Sequence, residues 1–169
     1  MLQVVLIIVS FLAGGCGNFR QHYREWPAVI AGIEGFTEAQ TSELMGSIRE
    51  LNRNAGKIVV TEEPGTMGYP IFFRLVEPKG PSERRVGHAV FDEFKCEIDL
   101  SSIAFKSDRK GLAKSVLWHE IGHCAGLEHE SESTELMYFT SFPFTFYSEG
   151  ALDRFVGALN RSIIQMTSQ

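Results

Sequence analysis

Positive charge is in short supply in this chain. Lys and Arg number 16 against 21 Asp and Glu, a formal net charge of -5 at pH 7, so the surface offers phosphate backbones no broad attraction and nucleic acid is not expected as a partner. Cysteine is scarce, at 3 residues in 169, too few for a scaffold built mainly of disulfides. There is no internal repeat and no block of like charge, which sets aside a disordered, collagenous or low-complexity protein. No apolar run reaches the ~20 residues that a spanning helix needs, so a permanent transmembrane anchor is the weaker reading of any hydrophobic stretch. What is present is ordinary for a globular chain: 44% hydrophobic and 22% charged residues, in a length that suits one domain around one core.

The one long apolar run is N-terminal. Residues 1 to 15 carry no charge and stop at Cys16, before the polar stretch Gly17-Asn18-Phe19-Arg20, as an export signal does. Leu12-Ala13-Gly14-Gly15-Cys16 resembles the lipobox of bacterial lipoproteins, in which small residues admit the signal peptidase and the Cys thiol receives the lipid. The resemblance implies a signal peptide at 1–15, lipidation at Cys16 and attachment to the bacterial cell envelope, at the outer membrane or cell surface; an ordinary export signal would give a secreted protein. No Lys or Arg precedes the run, a departure from the usual signal. Residues 17 to 36 mix Gly, Pro and isolated aromatics without a sustained period, so 16–36 reads as the lipidated Cys and a tether. In an oxidising compartment, Cys96 and Cys124 are either bridged or packed as two small buried thiols, and spacing does not decide between them.

The domain is expected to occupy 37–169, with an upper part at 37–126 and a lower part at 127–169. Thr37 and Gln40 have capping-box spacing, Leu44, Ile48, Leu51 and Ala55 recur at helical intervals, and Gly56 supplies a stop. Four β-rich runs follow, at Lys57–Thr61, Tyr69–Val76, Val86–Phe91 and Cys96–Ile103, separated by Pro-Gly and Lys-Gly-Pro turns. In the last, Cys96, Ile98 and Leu100 alternate with Glu97, Asp99 and Ser101, so Cys96 should point inward. A second helix is predicted at about 108–124 and a third at about 148–167, the latter with an apolar stripe through Leu152, Phe155, Val156, Leu159 and Ile163. Between them, residues 139 to 147 hold four Phe residues in a segment without helical period, suited either to walling a substrate pocket or to plain core packing.

His119-Glu120-Ile121-Gly122-His123 carries the chemistry. At about 100° per residue, the two imidazoles at i and i+4 sit about 40° apart on one helical face and can reach one ion. Glu120 lies about 100° around from His119, flanking the metal without taking a ligand position, which suits a general base acting on a water. Gly126 can take positive φ, end the helix and turn the chain so that His129 returns toward the ion. Three neutral imidazoles with one open position describe a catalytic zinc site rather than a structural one. Cys124, about 140° around the helix from His119, points away and does not close the shell. At this chain's composition, a chance His-Glu-x-x-His-x-x-Gly-x-x-His is on the order of 10⁻⁵ to 10⁻⁴. His22 and His88, each taken alone, read as ordinary surface or core histidines.

The stretch His119 to His129 resembles the long zinc signature of the metzincin clan of zinc peptidases. Glu135-Leu136-Met137-Tyr138 is similar to the clan's Met-turn, with Met137 eight residues after His129, the spacing of the matrixin branch; position 139 is Phe, where other branches carry a Tyr that can ligate zinc. Val86 to Phe91 looks like the matrixin edge strand that pairs with substrate, making Gly87, His88 and Ala89 substrate-strand candidates, and Cys96 to Leu100 looks like the strand after it. Glu130 stands where matrixins usually have Ser or Thr, which is closer to astacins and leaves the branch open between the two, and residues 17 to 36 hold no counterpart of the Cys-containing pro-segment that masks zinc in many matrixins.

The resemblance implies an α+β, metzincin-like catalytic domain: a twisted, mainly parallel sheet of four to five strands with an antiparallel edge strand, and three main helices. It implies a monomeric zinc endopeptidase with one Zn2+ on His119, His123 and His129, Glu120 as general base, Gly126 and Met137 as structural support, and a protein or peptide substrate. The rival reading is a surface binding module that keeps fold and metal but turns over poorly. An intact Glu120 argues against it, since loss of the base is the simplest route to an inactive enzyme.

Overall fold

The computed structural model describes residues 26–63, 65–80, 85–109, 111–138, 148 and 150–167. The expected signal at 1–15, Cys16 and the aromatic segment 139–147 lie outside the described residues. Five strands and three helices follow in the order β1 (Ala28–Glu34), α1 (Glu38–Ala55), β2 (Val60–Thr61), β3 (Tyr69–Val76), β4 (Gly87–Phe91), β5 (Cys96–Ser101), α2 (Leu112–Cys124) and α3 (Ala151–Thr167). The sheet runs β2-β1-β3-β5-β4, parallel throughout except for β4, which lies antiparallel at the edge. The expected α+β class, the mainly parallel sheet and the antiparallel edge strand are all present.

The tether reading of 16–36 needs correction. Ala28–Glu34 is an inner strand of the sheet, bonded to β2 on one side and β3 on the other, so the folded part begins by Trp26 rather than at Thr37. The physical reason is that β1 shows no alternation of burial, which fades from buried Ala28 to exposed Ile33 and Glu34. A shift of register between Ile30 and Gly32 further erases the period of two. The remaining boundaries differ by a few residues. The run at 57–61 pairs only through Val60 and Thr61, and the run at 96–103 turns after Ser101 into a 3-10 turn at Ser102–Phe105. The second helix starts at Leu112 because Gly111, at φ 79, is not helical.

Local chemistry explains α1. Thr37 and Gln40 form the reciprocal capping box, and Gly56 closes the far end at φ 66. Leu44, Ile48, Leu51 and Ala55 line its buried face, and Asn52 secures β2 by accepting from the Val59 and Val60 N–H groups at 2.8 and 3.1 Å.

Helix α2 is covered on nearly every side. Trp118 and Ile121 have no exposed surface, and the Trp118 indole N–H donates to the Ser47 carbonyl of α1 at 3.0 Å while its ring stacks on Phe155 of α3. On the sheet side, Cys124 is disulfide-bonded to Cys96, with Cα atoms 5.8 Å apart, which settles the question that spacing left open. A cross-link over a sequence separation of 28 stabilises a fold by about 3.5 kcal/mol in the chain-entropy account. Cys96, Ile98 and Leu100 all point inward, as their alternation predicts. Among the described residues, no helix is long and apolar enough to cross a membrane.

Candidate metal centre

Three histidines meet where α2 ends. The Nε2 atom of His123 lies 3.0 Å from that of His119 and 3.1 Å from that of His129. The other ring nitrogens explain why these face inward: His119 Nδ1 is 2.8 Å from the Leu136 carbonyl and His123 Nδ1 is 2.8 Å from the Leu127 carbonyl. A carbonyl only accepts, so each Nδ1 carries the proton and donates it, leaving Nε2 as a bare lone pair. Lone pairs converging at this distance repel one another unless a cation sits between them. Two nitrogens on a tetrahedral zinc with bonds of about 2.05 Å would stand about 3.3 Å apart, close to what is found, and the three residues fit a zinc site. Burial favours the neutral form of the two helical rings: desolvation lowers the His119 pKa to about 4, and lowers that of His123 as well.

The turn that returns the third histidine is built from backbone bonds. The Gly126 N–H donates to the His123 carbonyl at 2.8 Å and the Leu127 N–H to the Gly122 carbonyl at 2.9 Å, with Gly126 at φ 82. This paired pattern ends a helix on a left-handed residue, which glycine adopts without strain. His129 follows on an exposed loop. That loop closes where the Glu130 N–H donates to the Met137 carbonyl at 2.9 Å. Met137 is buried and its sulfur packs on Gly122, where an added Cβ would lie only 2.6 Å away. Gly122 therefore makes room for Met137.

Glu120 is 6% exposed and faces β4. Its carboxylate accepts a hydrogen bond from the Ala89 N–H, and burial raises its pKa to about 7 against the opposing effects of that bond and of the Arg85 charge. Gly87 makes the approach possible, since a Cβ there would meet Val116 Cγ1 at 2.4 Å and Glu120 Oε1 at 2.5 Å. The pairing of β4 to β5 also orients the strand. The Ser101 N–H donates to the Val86 carbonyl, so in the antiparallel register Gly87, Ala89 and Phe91 turn their N–H and C=O groups to the open edge. His88, opposite Asp99, does not, although its charge is felt at His123.

No family model matches the chain, and no curated protein matches it by sequence. Among solved structures it is similar to the crystal structure of archaemetzincin from Methanopyrus kandleri, with a TM-score of 0.56 over 81% of this chain and 95% of that one, at 16% identity. The fold is metzincin-like.

Within that metzincin-like fold, the residues singled out by sequence sort clearly. The structure brings together His119, Glu120, His123, Gly126, His129 and Met137 on α2 and the loop after it, and lays Gly87 and Ala89 alongside. An open cleft of about 900 Å3 runs beside His129 and Met137 to Phe155 of α3, with Glu128, Asp153 and Arg161 on its walls. Cys124 points to Cys96 and not to the histidines, as the helix geometry requires. Sequence reasoning missed Leu127 and Leu136, whose backbone carbonyls orient two rings and so leave no trace in residue type. It also missed Gly122, although a glycine inside a buried helix is a signal of close packing.

Proposed function

We propose that the chain is a zinc-dependent endopeptidase. The observation that carries this reading is the convergence of three Nε2 atoms, those of His119 and His129 lying 3.0 and 3.1 Å from that of His123, next to the buried carboxylate of Glu120. His119, His123 and His129 would hold the ion. Zinc, when bound, supplies Lewis acidity that makes a water nucleophilic near neutral pH and polarises the scissile carbonyl. Glu120, with a pKa of about 7, is matched to taking the proton of the attacking water and passing it to the leaving amine. The Ala89 N–H holds its carboxylate in that position, so an extended peptide adding to β4 pairs through the outward groups of Gly87 and Phe91 and the Ala89 carbonyl.

The finer assignments rest on the residues. Met137, eight positions after His129, favours a matrixin-like branch. The run ending Ala13-Gly14-Gly15-Cys16 supports lipid anchoring at the bacterial envelope, where tethering confines cleavage to proteins near the membrane surface. The test is peptide-library cleavage profiling of the zinc-loaded chain with and without a chelator. Cleavage that chelator abolishes is expected, and no cleavage in any library would refute the proposal.

A further inference from the structure

The metal-binding residues come from two pieces of chain joined at one point. His119 and His123 belong to α2, His129 to the loop that leaves it, and Cys124 is the last residue of α2, between the second histidine and the turn. Helix ends open more readily than helix centres, because their final carbonyls lack intrahelical partners. At this end the turn bonds of Gly126 and Leu127, the Ser162 hydroxyl of α3 donating to the Ala125 carbonyl, and the His123 ring on the Leu127 carbonyl are all hydrogen bonds. One link is covalent. Cys124 is bonded to Cys96, the first residue of β5, which lies between Ile71 of β3 and Phe91 of β4 and has no exposed surface.

We propose that the Cys96–Cys124 disulfide is a positioning cross-link of the metal centre, resting on the reading of the three histidines as zinc ligands. It fixes the last turn of α2 to β5, an inner strand of the sheet, and so fixes the ring of His123 and the point from which the His129 loop departs. Its effect on zinc binding exceeds its effect on global stability, because the bond sits at the junction of the two ligand-bearing pieces. A cross-link between other buried parts of the same fold would stabilise the chain without setting the spacing of the imidazoles.

The experiment uses the full chain and zinc alone as the probe. Zinc affinity is measured by competition with a chromophoric chelator for the wild type, for Cys96→Ala/Cys124→Ala, and for Leu51→Ala, a core variant in α1, at a temperature well below all three melting points. The double variant is expected to bind zinc at least tenfold more weakly, and Leu51→Ala within twofold of wild type despite its own loss of stability. If the double Ala variant does not fold, Cys96→Val/Cys124→Ala refills the vacated volume with apolar atoms and takes its place. A cysteine-free variant that binds zinc within twofold of wild type overturns the proposal and leaves the zinc site standing. A wild type with no zinc affinity overturns both.

Discussion

His119 and His129 point at the same position from different settings. His119 lies in the middle of a buried helix, 4% exposed, with its ring fixed by the Leu136 carbonyl; His129 lies on an exposed loop that a turn at Gly126 and a backbone bond from Glu130 to Met137 bring back. The helical half of the site is set by the same packing that makes the core. The loop half is set by a few backbone bonds and one left-handed glycine. A metal centre divided this way gains its geometry from the fold on one side and from local turn chemistry on the other, so the two halves should respond differently to the same kind of damage.

The largest expected effect on hydrolysis with zinc retained falls on Glu120 of α2, the proposed general base. Glu120→Gln should keep its zinc and lose about 10²-fold to 10⁴-fold in peptide hydrolysis, since the amide cannot accept a proton; metal analysis and cleavage rates on the same sample check both parts. Removing a ligand from each half sharpens the contrast. His119→Ala and His129→Ala should each abolish tight zinc binding, but the zinc-free proteins should differ. Loss of the buried ring and its bond to Leu136 should cost about 1–3 kcal/mol in denaturant unfolding, and loss of the exposed one close to nothing. Equal destabilisation by the two would erase the proposed division.

Gly87→Ala probes the helical half from the strand side. The new methyl would overlap Val116 and Glu120, so a cost of about 1–3 kcal/mol is expected together with a fall in hydrolysis and unchanged zinc affinity. The zinc-free protein should also show opposed titrations. The pKa of His119 is lowered to about 4 in the fold, so its stability contribution is present above the unfolded value near 6.5 and is lost as pH falls toward 4. That of Glu120 is raised to about 7, so its contribution is present below about 4.5 and lost as pH rises through 7. Between pH 4.5 and 6.5 the two slopes oppose, and Glu120→Gln should make the rise of zinc-free stability with pH steeper, by up to about 1.4 kcal/mol per pH unit. An unchanged slope in chemical denaturation would mean that Glu120 is not buried as described. The smallest effect belongs to the loop half: Gly126→Ala forces a side chain to φ 82 and should cost about 1 kcal/mol, with a modest loss of zinc affinity.

What could be read from the sequence follows the same division. The spacing of His119, Glu120, His123 and Gly126 is a statement about helical period and one turn, and local period is legible. The capping box at Thr37 and the alternation of Cys96, Ile98 and Leu100 were legible for the same reason. Ala28–Glu34 was not, because an inner strand with a register shift carries no period-2 alternation to mark it. Nor was the bond between Cys96 and Cys124, since a separation of 28 says nothing about distance in space. The closeness of Gly87 to Glu120 and the orientation of two rings by Leu127 and Leu136 are tertiary facts that involve a missing Cβ and backbone oxygens, neither of which has a pattern of its own.

The central claim is that three imidazoles from these two halves hold one zinc that serves hydrolysis. Zinc titrated back into chelator-stripped protein, with cleavage of a peptide substrate followed at each addition, tests it most directly. Activity that rises with zinc and levels off at one equivalent per chain is the predicted result; a chain that cleaves equally well without zinc, or that fails to cleave at any zinc concentration, would contradict it.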